Sequence, residues 1–246
     1  MRSFVSRLRR LRSTHLIFLL CGLWVHDASA QDDGLSAFSP LRYGAKVGAN
    51  LNQFSQTGMV IDVNGGAVVS YQISDLIGIQ GELVYMGIGG GLADRVIDWS
   101  AYEGNILSVT YENRSRSIKN VELPVMAAIS IPTNGSSISP KFLIGASYGY
   151  SIASFETRDL NFTMADGSLA PPVSNTVENV SSSIQSHQFA VHGGFALEYD
   201  LGNGSTFYQE IRYRYGLDNI NIDLGRPGLG GELIPSTISL NFGYFF

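Results

Sequence analysis

Cysteine is almost absent from this 246-residue chain, whose single Cys21 lies near the N-terminus. No disulfide can form within one chain, and no cysteine-rich zinc site can be built. Charge is scarce too, at 15% of residues, against about 25% in ordinary soluble domains. Long apolar runs are missing beyond the first thirty residues, which excludes a bundle of membrane-spanning helices. Clustered cations are also missing. After residue 30 there are 11 basic and 20 acidic side chains, a balance that offers no stripe for displacing counterions from nucleic acid. What the chain does have is glycine (28), tyrosine (12) and phenylalanine (13), with apolar residues along nearly its whole length, so disorder is excluded as well.

Arg2, Arg7, Arg9, Arg10 and Arg12 precede an apolar stretch from Leu16 to Val25 and a small-residue site, Ala28-Ser29-Ala30. That order predicts an export signal over residues 1–30, cleaved after Ala30, because the stretch is shorter than the ~20 residues a spanning helix needs. Leu20 is too bulky for a lipidation site at Cys21. Residues 31–40 are expected to be a periplasmic tether and residues 41–246 the folded domain.

Within that domain the side chains alternate. Tyr43, Ala45, Val47, Ala49 and Leu51 oppose Arg42, Gly44, Lys46, Gly48, Asn50 and Asn52, which is period two. Ile77, Ile79, Leu83 and Tyr85 likewise oppose Gly78, Gln80 and Glu82. Similar rows recur over 121–131, 141–152, 188–199, 207–217 and 237–246, with a less clean one at 61–72, giving eight strands. A soluble sandwich also alternates. Here, however, the polar rows mix glycine with charges, as a crowded barrel interior requires. The apolar rows end in aromatics such as Tyr43, Tyr85, Tyr150, Tyr215 and Tyr244, where a membrane–water interface would lie. Short links at 72–75, 132–137 and 200–205 alternate with long ones near 87–119, 155–186 and 218–235, with 55–60 a short exception. The pattern predicts an all-β, eight-stranded, antiparallel, up-and-down transmembrane barrel with periplasmic turns and longer outer loops. Alternation at 106–111 extends a hairpin above the membrane or adds two strands, making ten.

The segments YGAKVGANLN (43–52), GELVY (81–85), VELPVM (121–126), FLIGASYGY (142–150) and the closing LNFGYFF resemble the small outer-membrane barrels of Gram-negative bacteria. Among these, the chain most resembles porin-family, PorT-like proteins, with VELP similar to a strand start of that family. The resemblance spans nearly the whole domain and implies an outer-membrane location and a structural, surface-contact or secretion-assembly role. It also implies that the terminal row Leu240, Phe242, Tyr244 and Phe246 is read by the barrel-insertion machinery. Expected partners are outer-membrane lipid and an unidentified envelope or secretion-assembly protein; nucleic acid is not expected, and the barrel is expected to be a monomer.

Polar rows turned inward place Arg42, Lys46, Lys141, Arg212 and Arg214 in the lumen with Glu82, Glu122, Glu198, Glu210 and His192. Near-balance of charge in so narrow an interior predicts one salt-bridged plug, with Arg212 and Arg214 separated by Glu210, Glu122 and Glu198. The competing readings are a narrow porin-like channel for small solutes, an acid–base site at His192 and Glu198, and an outer-membrane barrel enzyme acting on lipid. Ser186 and His187 cannot act as nucleophile and base, since adjacent strand residues face opposite ways. Asp218, Asp223 and Glu232 are too irregularly spaced for a calcium loop, and no cofactor or metal site is expected. The glycine run 87–91 has no helix after it, so it reads as a flexible exit from a strand rather than a phosphate loop.

Overall fold

The computed structural model describes residues 41–246 apart from 55–57, 99–104, 134–135, 203 and 221–232. The expected export signal and tether lie outside the described residues.

Ten strands form one sheet: β1 (Leu41–Phe54), β2 (Val60–Gln72), β3 (Ile77–Gly91), β4 (Arg95–Asp98), β5 (Ile106–Ser130), β6 (Ile138–Met164), β7 (Val173–Asn179), β8 (His187–Asp200), β9 (Thr206–Gly216) and β10 (Pro235–Phe245). Eight of them close a ring in the order β5-β3-β2-β1-β10-β9-β8-β6, with β6 returning to β5. Every pairing is antiparallel, and the ring is sealed by β1 on β10, with Val47 opposite Phe242 and Ala49 opposite Leu240. Closure removes the sheet edges that hydrocarbon would not tolerate. Among the described residues no helix is long and apolar enough to cross a membrane. The strands do the crossing, with outward rows such as Ile77 to Tyr85 matching the about nine residues a tilted spanning strand needs.

The remaining strands, β4 and β7, pair with β5 and β6 beyond the ring, at the long-loop end. The links near 87–119 and 155–186 are therefore largely strand, and the alternation at 106–111 belongs to a raised hairpin, not to a ten-stranded ring. A four-stranded outer sheet, β4-β5-β6-β7, stands on an eight-stranded barrel.

The glycine run is not a flexible exit. Gly87 to Gly91 continue β3 and pair with Lys119 to Ser115 of β5, while the β2–β3 ladder stops at Asn64 and Met86. Above that point β3 leans against β1. The side chains of Asn50 and Asn52 donate to the Gly87 carbonyl at 3.2 and 3.1 Å, and any side chain at position 90 would collide with the Phe54 backbone. Glycine is what lets two backbones approach this closely.

Inward rows fill the ring. Phe54, Met86, Ile88, Ile118, Ile184 and Ile220 make an apolar layer at the long-loop end. Val68, Tyr208 and Phe245 pack at the other, with the Tyr208 and Phe245 rings 5.0 Å apart. Lys46, Glu82, Glu210 and Arg212 lie between these two layers, while Arg42 stacks on the Phe245 ring at the short-turn end.

Candidate functional site

The inward charges occupy positions fixed by strand parity, and cross-strand register decides which of them meet. They fall into three clusters rather than the single network expected.

The central cluster joins β1, β3 and β9. Arg212 donates Nη1 and Nη2 to the two oxygens of Glu82 at 2.9 and 2.6 Å, a bidentate fork. Lys46 Nζ reaches the same carboxylate at 2.6 Å. Arg212 also donates to Glu210 at 2.7 Å, and Asn241 donates Nδ2 to Glu210 at 2.8 Å. Two cations and two anions thus share one layer, and the side chains of Glu82 and Glu210 are wholly buried. In so dry a layer, pairing and hydrogen bonding are what make burial of charge tolerable.

The second cluster lies one step toward the long-loop end. Arg214 Nε donates to both oxygens of Glu122, at 3.1 and 3.0 Å. His192 Nε2 lies 3.0 Å from Glu122 Oε1 and 2.7 Å from Ser147 Oγ, and Ser147 donates to the same Glu122 oxygen. Serine, histidine and carboxylate therefore meet, which adjacency in sequence gave no way to foresee. The geometry is not that of a nucleophile relay. Serine and carboxylate share Nε2, and Nδ1 has no hydrogen-bond partner, so no acid orients the ring from its far side.

The third cluster sits at the short-turn end. Arg42 donates to Glu198 at 3.0 and 3.2 Å, and Lys141 reaches it at 2.9 Å. This corrects two expectations. Glu198 neither separates Arg212 from Arg214 nor partners His192, because on β8 it falls opposite Tyr208, while His192 falls opposite Arg214. Arg212 is instead paired by Glu82 from across the lumen and by Glu210, and Arg214 by Glu122.

A fourth charged group lies in the raised hairpin, where sequence reading placed a loop. Glu156 accepts from Arg114 at 2.9 and 3.0 Å and from Arg116 at 2.9 Å, with Arg158 at 3.6 Å. Burial works to raise the Glu156 carboxyl, but the hydrogen bonds and charges of Arg116 and Arg114 outweigh it and hold the group below the usual range. Asp159 is held low by hydrogen bonds from the Asn113 side chain and the Asn175 backbone. Both asparagines are in the left-handed region, at φ 48° and 56°, so Asp159 fastens two irregular points of the hairpin together.

On the outer surface of the ring the terminal row points away from the lumen: Leu240 and Phe242 are exposed on β10, and Phe246 follows the strand. His187 is also outward, hydrogen-bonded to Tyr148. Asp218 accepts from the Phe189 backbone, while Asp223 and Glu232 lie outside the described residues. Among the described residues no group of His, Cys, Asp or Glu is arranged to hold a metal.

Residues 29–221 match the family described as "Outer membrane protein beta-barrel domain". No curated protein matches the sequence. Among solved structures, the chain is similar to Neisserial surface protein A at 11% identity and TM-score 0.45, covering 83% of this chain and 96% of that one. It is also similar to a major outer membrane protein from Thermus thermophilus (13% identity, TM-score 0.42, 84% and 99% covered). A third is OprG from Pseudomonas aeruginosa (13% identity, TM-score 0.40, 84% and 94% covered).

Proposed function

We propose, from the premise that this chain belongs to the outer membrane protein β-barrel domain family, that it is a closed barrel whose work is done by the sheet it holds above the outer membrane. The barrel resides in the outer membrane. The observation that carries the reading is the central cluster, in which Lys46, Glu82, Glu210 and Arg212 link three strands across the lumen with balanced charge. A lumen filled this way is a plug rather than a pore lining.

The role is structural and surface-contacting, not enzymatic, since among the described residues the one meeting of serine, histidine and carboxylate lacks an orienting acid and is buried. Within the family, the segments that resemble PorT-like barrels support a scaffold for an envelope or secretion-assembly partner, with β4 to β7 as the contact surface. The row Leu240, Phe242, Tyr244 and Phe246 serves the insertion machinery and then the lipid, and the barrel acts as a monomer.

Planar-bilayer recording tests the plug. The folded barrel should show no steady conductance, whereas stable single-channel steps in the unmodified protein would replace this reading with that of a narrow channel.

A further inference from the structure

Unpartnered polar atoms are not scattered through the barrel at random. Six of the side chains that carry them, Arg214, His192, Gln188, Asn120, Ser154 and Arg116, lie in the upper lumen, and each is at most 5% exposed. Five of the six belong to the wall made by β5, β6 and β8, and register sets them in order. His192 faces the Arg214 level. Gln188 shares a level with Glu122 through Gly149. Asn120 lies opposite Ser151, Ser154 opposite Ile118, and Arg116 opposite Glu156 at the mouth. Across the lumen Phe54, Met86 and Ile88 form an apolar patch above Asn50, Asn52 and Asn64, and Ile118 of β5 packs against that patch.

The lower end of this row opens on a cavity of about 20 Å³, lined by Arg214, His192, Asn64 and Asn241 among others. That is room for one water. The amide orientations there are fixed by their partners. Asn241 gives Nδ2 to Glu210, which leaves Oδ1 without a partner. Asn50 gives Nδ2 to the Gly87 carbonyl, so its Oδ1 must accept from Asn64 Nδ2, which leaves Asn64 Oδ1 unpartnered too. The cavity thus combines free donors on Arg214 Nη1 and Nη2 with free acceptors on two amides. Water satisfies both, whereas an anion would meet the amide oxygens unfavourably.

Successive inward positions on a strand lie about 7 Å apart at Cα, and where their side chains do not reach each other directly, as Arg212 and Glu210 do, a bound water can bridge them. We propose that a file of bound water runs along the β5–β6–β8 wall from the Arg214 cavity to the outer mouth. The middle of the lumen is hydrated from the cell exterior and sealed toward the periplasm by the central cluster. This inference rests on the plug reading and adds a direction to it.

Silver ion, a thiol reagent small enough to follow a file of water, tests the idea on the folded full-length protein carrying Cys21→Ser. Ser154→Cys is nearly isosteric, and Gln188→Cys samples the next level down. Ile88→Cys reports the apolar patch, and Ala196→Cys lies on β8 level with Glu210. Each variant is exposed to Ag⁺, quenched, unfolded and assayed for maleimide-reactive thiol. Ser154→Cys and Gln188→Cys should lose their thiol while Ile88→Cys and Ala196→Cys keep theirs. If Ser154→Cys stays free as long as Ala196→Cys, the water file is refuted and the plug stands. Loss at Ala196→Cys refutes the plug itself. Equal loss at Ile88→Cys and Ser154→Cys refutes confinement to one wall.

Discussion

The lumen and the raised sheet both gather arginines around buried glutamates, yet they do so under opposite constraints. Inside the ring, the central cluster matches two cations to two anions, and one of them, Glu82, is bound by donors from two other strands. In the hairpin, Arg114, Arg116 and Arg158 crowd one carboxylate, Glu156, and Arg158 is also tied to the half-exposed Glu178. Hydrocarbon surrounds the first group, so charge there must balance locally. The second is buried at Glu156 but meets water at its rim, where Arg158 and Glu178 are partly exposed, so an excess of one sign is tolerated and strand ends need no closing partner. The ring is built for persistence, and the sheet above it is free to present charge.

The sharpest way to break this contrast is to remove one carboxylate from each region. Glu82→Ala leaves Lys46 and Arg212 short of a partner and should cost roughly 3–5 kcal/mol, read as a lowered urea midpoint by heat-modifiable gel migration. Removing Arg212 as well should recover part of that loss, because the buried cation goes with its partner. Simple additivity of Glu82→Ala and Arg212→Ala would show that the two are uncoupled. A loss of the same size from Glu156→Ala would mean that the hairpin is as dry as the lumen.

Smaller effects come from the outer surfaces. Ile144 is 62% exposed on the lipid face of β6, and Val177 is equally exposed, at 62%, on β7. Arginine at 144 should cost about 2–4 kcal/mol near the midplane. The same change at Val177 should stay within about 0.5 kcal/mol, since water already surrounds it. Equal penalties would place β7 in the membrane and overturn the division into ring and sheet.

Strand positions and side-chain parity were legible in the sequence because a two-sided environment imposes strict alternation, as Ile77 to Tyr85 illustrates. The choice of partners was not. Arg212 and Glu82 lie 130 residues apart, and only the closed register brings them together across the lumen. Glu198 shows the converse: its inward parity was readable, but its height along the barrel depended on how β8 slides against β9. Of the raised strands only the 106–111 part of β5 alternated clearly enough to read as a hairpin; β4 and β7 did not, since edge strands that are largely wet are under little pressure to alternate. Arg114-Ser115-Arg116 carried a further period-two signal, which places those arginines on a common face.

The smallest expected effect concerns acid, and it separates the regions without changing their size or shape. Glu156 lies beyond the membrane-spanning part of β6, and its folded carboxyl sits below the unperturbed value of 4.5. A depressed carboxylate contributes stability that is present above the unfolded value and lost as pH falls through the folded one. Asp159, likewise depressed by Asn113 and Asn175, acts in the same direction. Acidification from neutral pH should therefore loosen the hairpin once pH drops below about 4.5, as its carboxylates take up protons and release their donors. Hydrogen exchange over Phe155 to Asn179 should speed up there, while the amides of β1 and β10 stay protected. Glu156→Gln keeps the shape but cannot titrate, and in it the acid-dependent part of that acceleration should shrink. If the variant and the parent respond alike, Glu156 does not fasten the sheet, and Asp159 alone must account for the loosening.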